Sequence, residues 1–93
     1  MHEAIDNESI SLSAQVRYRS VGDEGVLVHL ENGRVVVVNQ VGLHIVDCLK
    51  EPVTHGDLVE SIAAEFDVSS EQAAADLDVF LAELDQDQLL DRR

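Results

Sequence analysis

From Val26 to Val38 the chain is built largely of β-prone residues. Val26-Leu27-Val28-His29-Leu30 and Arg34-Val35-Val36-Val37-Val38 flank Glu31-Asn32-Gly33. Asn-Gly between two such runs predicts a tight hairpin, because both central residues of the favoured turn take positive φ. A two-residue turn sets Glu31 opposite Arg34, Leu30 opposite Val35, His29 opposite Val36, Val28 opposite Val37 and Leu27 opposite Val38. Upstream, Val16-Arg17-Tyr18-Arg19 alternates and predicts a short, half-buried strand, with Ser20–Gly25 as the connecting loop. Residues 1–14 are polar and without periodicity, and are expected to form a flexible tail ahead of a domain at 15–91.

After Asn39 the period changes from two to between three and four. Val41, Ile45, Cys48 and Leu49 predict a helix with Asn39 as its N-cap and Pro52 beyond its end. Thr54-His55-Gly56-Asp57 has the form of a capping box and opens a second helix carrying Leu58, Val59, Ile62, Ala63 and Phe66, which Asp67 and Val68 break. Ser69 to Gln72 offers another box. The third helix follows, with Ala73, Leu77, Phe80, Leu81 and Leu84 on one stripe, and Leu89-Leu90 close the domain. The expected fold is α+β, a three-stranded antiparallel sheet followed by three helices that cover one of its faces.

Charge narrows the range of partners. Six Lys and Arg against nineteen Asp and Glu give −13, with −3 in residues 1–50 and −10 in residues 51–93. A field of that sign repels phosphate backbones and anionic membranes, so no nucleic acid and no membrane is expected. A lone Cys48, no apolar run of membrane-spanning length and no secretory signal point to a cytoplasmic protein.

Catalytic chemistry is not visible. The sequence has no nucleophile elbow, no HExxH and no glycine-rich phosphate loop, so no enzyme activity and no cofactor are expected. His44 and Cys48 stand four apart on the first helix. Without a third and fourth ligand they read as a core cysteine beside an edge histidine, and no metal site is expected.

Two features do point to binding. Val35–Val38 is apolar on both faces, whereas a strand with one face in water alternates. Cover for the second face can come from the domain's own helices or tail, or from a partner strand paired along a free edge. On the third helix, Asp76 and Glu83 fall on one shoulder beside Phe80, with Val79 just beyond them and off the core stripe. That shoulder suits a peptide with apolar and basic side chains, although one tolerated surface valine is common.

Several segments, in their order, resemble the PqqD family of peptide chaperones, also called RiPP precursor recognition elements. They are Val16-Arg17-Tyr18-Arg19, Gly25-Val26-Leu27-Val28, Val35-Val36-Val37-Val38-Asn39, Val41-Gly42-Leu43-His44-Ile45, Leu58-Val59-Glu60-Ser61-Ile62, Glu65-Phe66-Asp67-Val68 and Asp76-Leu77-Asp78-Val79-Phe80-Leu81, closing on Leu89-Leu90. The resemblance spans roughly residues 14–91. It implies a winged helix-turn-helix-like fold that does not bind DNA. It also implies capture of a precursor's leader peptide, which adds as a strand to the third strand and lies against the third helix. The captured leader is presented to a modifying enzyme, typically a radical S-adenosylmethionine (radical SAM) enzyme, in pyrroloquinoline quinone (PQQ) biosynthesis or a related pathway. Carried onto this chain, the binding residues are Arg34, Val35, Val36, Val37, Val38, Asp76, Val79, Phe80 and Glu83.

The rival readings are a winged-helix regulator and a structural interaction domain without a peptide ligand. The regulator needs a basic recognition helix, and the third helix carries Asp76, Asp78, Glu83 and Asp85 with no basic residue.

Overall fold

The computed structural model describes residues 8–92. Strands β1 (Ser9–Leu12), β2 (Val16–Val21), β3 (Glu24–His29) and β4 (Val35–Val38) come first, followed by helix α1 (Gln40–Cys48). Then come β5 (Val53–Thr54), α2 (His55–Phe66), α3 (Ser70–Gln86) and β6 (Leu90–Arg92). The main sheet has the order β2-β3-β4, antiparallel throughout, so β4 is an edge strand. This is the expected α+β arrangement.

Each helix starts where a side chain takes over a backbone donor. Asn39 accepts from the Gly42 amide at 2.9 Å, Thr54 from Asp57 at 3.1 Å and Ser69 from Gln72 at 3.1 Å. These bonds satisfy donors that the first helical turn leaves without partners. Asp67 ends α2 in the left-handed conformation at φ 56°. Helix α1 packs on β3 and β4, and α2 packs on α3. The core lies between these layers and contains Leu27, Val38, Ile45, Leu58, Leu77 and Leu84.

Three sequence expectations change. The first is the tail. Ser9–Leu12 is a strand, Ile10 is only 1% exposed, and the Leu12 and Ser13 amides donate to the Leu49 and Leu89 carbonyls. With β5 and β6 it forms a second small sheet of order β5-β1-β6, in which Ile10 pairs with Arg92 and Leu12 with Leu90. The folded unit therefore reaches back into the segment assigned to a tail, whose residues 1–7 lie outside the described residues. Second, the Ser20–Gly25 loop shrinks to a turn at Gly22-Asp23, with Gly22 at φ 62°.

Third, the hairpin register moves by two residues. Leu27 pairs with Val36 and Val28 with Val35. The loop widens because the buried His29 accepts the Glu31 amide at Nδ1, 3.2 Å away, while Asn32 Oδ1 accepts the Arg34 amide at 2.8 Å. Side chains thus shape the turn, and only Gly33 in it takes positive φ. A shift of two keeps the same side chains together on each face of the hairpin.

Candidate functional site

The backbone of β4 has one hydrogen-bonded side and one open side. The His29 amide donates to the Arg34 carbonyl at 2.9 Å, which fixes the phase of the β3–β4 ladder. Because hydrogen-bonded and non-bonded pairs alternate in an antiparallel ladder, Val36 and Val38 direct their N–H and C=O groups to β3. Val35 and Val37 direct theirs to the free edge. Among the described residues no strand pairs with that edge.

Side chains alternate in the other sense. Val38 is buried and Val36 half-buried on the helix side, whereas Val35 and Val37 are 57% and 60% exposed on the outer face. Own-chain cover for that outer face, one of the two sources open from sequence, is not supplied by the helices.

The free edge opens onto a cleft against α3. One cavity of about 390 Å³ is lined by Val36, Val37 and Val38, and on the α3 side by Phe80, Glu83 and Asp87. A second, of about 270 Å³, lies further along α3 between Val41, Ile45 and Ile62 on one side and Asp76 and Val79 on the other. Asn39, Phe80 and Glu83 line both cavities, so they stand where the two meet. Asp76, Val79, Phe80 and Glu83 share one helical face, since residues three and four apart are neighbours.

Of the residues expected to bind, Val36, Val37, Val38, Asp76, Val79, Phe80 and Glu83 line the cleft. Val35 lines neither cavity and offers only its backbone at the edge. Arg34 stands at the start of β4 and pairs with Asp87 at 3.0 Å, joining the hairpin to the end of α3. Asp76 accepts from the Gln72 amide nitrogen at 2.9 Å.

Asn39 and Gly42 are among the lining residues that the sequence does not assign to the site. Asn39 was assigned only its cap. Gly42 is buried inside α1, where a glycine is costly unless something approaches closely. Something does: a β-carbon there would meet Val38 Cβ at 2.8 Å and Phe80 Cε1 at 3.0 Å.

The His44–Cys48 pair lies on another part of α1. His44 Nε2 is 2.8 Å from Ser61 Oγ and 3.8 Å from Cys48 Sγ, and its ring meets Phe66 edge-on at 5.4 Å. Cys48 is half-buried, less enclosed than the core position expected for it. Among the described residues no group of three or more His, Cys, Asp and Glu side chains gathers as a metal site would require. No described helix is long and apolar enough to cross a membrane.

Comparison with known proteins agrees with this architecture. The family model described as coenzyme PQQ synthesis protein D (PqqD) matches residues 24–90. Among solved structures, TbiB1 in complex with the TbiA(beta) leader peptide superposes with a TM-score of 0.80 at 32% identity, covering 87% of this chain and 94% of that one. No curated protein sequence matches the chain at a level that marks a relative. With a family match over most of its length and a fold shared over 87% of it, the chain belongs to the PqqD family.

Proposed function

We propose that this protein is a non-catalytic adaptor that captures the leader of a ribosomally made precursor peptide and presents it to a modifying enzyme, of the radical SAM type. The observation that carries the reading is the free edge of β4 opening onto the α3 cleft. A peptide laid along that edge exchanges main-chain hydrogen bonds with Val35 and Val37. Its alternate side chains then fall into the cleft beside Val36, Val38 and Phe80. Main-chain pairing supplies affinity for any extended segment, and the two cavities supply selection. The similarity to a protein whose structure was solved with a leader peptide supports the same mode of use here.

The test is calorimetric titration of a candidate leader peptide against wild type and Val37→Pro. Proline removes the edge-facing donor and leaves the bonds to β3 in place. Binding to wild type, lost in Val37→Pro with the fold intact, is the expected result. Equal affinity for both proteins would mean that the peptide does not add to β4.

A further inference from the structure

The ionisable groups around the cleft are of one sign except at one end. Asp76 and Glu83 line the second cavity, and Glu83 and Asp87 line the first. Two of these carboxylates already have partners: Asp87 is paired with Arg34, and Asp76 accepts from Gln72. Glu83 stands beside Phe80 at the junction of the two cavities, on a helix with no basic residue. No Lys or Arg occurs anywhere between Lys50 and Arg92.

A peptide that fills both cavities must cross this junction. An apolar side chain there would strip water from the Glu83 carboxylate and return nothing, and an acidic one would add repulsion. A Lys or Arg side chain meets the carboxylate with a charge-assisted hydrogen bond and can lay its stem and head against the Phe80 ring. We propose that the cleft selects peptides in which a basic residue, held at Glu83 and Phe80, sits at a fixed spacing from an apolar residue seated among Val41, Ile45, Ile62 and Val79. The proposal rests on the strand-capture reading and adds the chemistry of the peptide that is captured. Glu83 is its specificity-determining residue.

A random-peptide phage library panned on the immobilised full-length protein tests both levels separately. Peptides enriched on wild type should carry Lys or Arg at one fixed offset from an aliphatic or aromatic residue. Panning on Glu83→Lys should replace that basic position by Asp or Glu. For one enriched peptide made synthetically, Glu83→Gln should weaken Kd by about tenfold, the scale of one charge-assisted contact. Glu65→Gln, the same charge change at an exposed position of α2 that lines neither cavity, should leave Kd unchanged and so exclude a general effect of the acidic field. Glu83 is exposed, so these variants fold, which circular dichroism checks.

Enrichment of peptides without a basic position, or the same motif on Glu83→Lys, overturns the basic-residue proposal while strand capture stands. Enrichment that survives on Val37→Pro overturns strand capture itself. Failure to enrich any peptide on wild type counts against both.

Discussion

The Phe80 ring rests on the bare α-carbon of Gly42, so that a β-carbon at position 42 would stand 3.0 Å from Cε1 and 3.1 Å from Cζ. This contact brings α3 against the start of α1 and sets the floor where the two cavities meet. Alanine in a helix interior normally gains up to about 1 kcal/mol over glycine. Here it must also displace Val38, whose Cβ would lie 2.8 Å away and has no freedom to swing aside. Gly42→Ala should therefore destabilise the fold by about 1–2 kcal/mol, the range of core overpacking. Urea denaturation measures it. A gain in stability would show that the α1–α3 contact is looser than described.

Val36 and Val37 are neighbours with opposite backbone duties. Val36→Pro breaks a bond to β3 and strands a carbonyl in the sheet, so it should cost more than about 2 kcal/mol. Val37→Pro removes a donor that only an added strand would use, and should cost within about 1 kcal/mol. Thermal melts of the two variants compare them directly. Equal losses would place the phase of the ladder in error.

Val79 is 62% exposed and lines the second cavity without joining the core. Val79→Asp should leave helical circular dichroism unchanged. It should weaken peptide binding by about 1–3 kcal/mol, because an unpaired charge then faces an apolar ligand side chain. Titration of wild type and variant with one peptide checks it, and unchanged affinity would remove Val79 from the site.

Tyr18, the one tyrosine in the chain, donates its O–H to the Asp47 carboxylate and so ties β2 to α1. Burial, then this hydrogen bond, then the negative charge of Asp47 raise its pKa well above the ordinary value of 10. The unfolded chain therefore releases the phenolic proton first. The stabilisation is fully present below pH 10 and is lost as pH climbs beyond it toward the raised value. Denaturation midpoints should fall above that pH in wild type and fall less in Tyr18→Phe. Ultraviolet titration of Asp47→Asn should show Tyr18 ionising at lower pH than in wild type. An unshifted titration would mean that Asp47 does not hold the phenol.

The parts of the fold set by neighbours in sequence were legible, and those set by distant partners were not. Asn39, Thr54 and Ser69 could be assigned as caps because a cap is a bond to a residue three positions on. The β-prone runs on either side of Asn32-Gly33 gave the strands β3 and β4. They could not give the register, since the His29 ring reshapes the turn through contacts that a propensity rule does not contain. Strand β1 carries only Ile10-Ser11-Leu12 as a pattern, and its partners lie some forty and eighty positions away. In the cleft, Val79 stood out because it is apolar yet lies off the core stripe, on the same shoulder of the helix as Asp76 and Glu83. Asn39 and Gly42 did not, because their place there depends on how α1 meets α3. The glycine inside an otherwise regular helix was the one signal that could have flagged the contact.

Pairing of Ile10 with Arg92 sets the way into the domain beside the way out. A unit threaded in this manner can be spliced into a surface loop of a host enzyme as a cassette, without prising the loop apart. The same proximity makes the chain a candidate for circular permutation, with new ends cut at the exposed Gly22-Asp23 turn. Neither β1 nor β6 lines the cleft, so a covalent tether at this seam leaves the β4 edge open. A tether at this seam would thus leave the proposed capture of a peptide undisturbed.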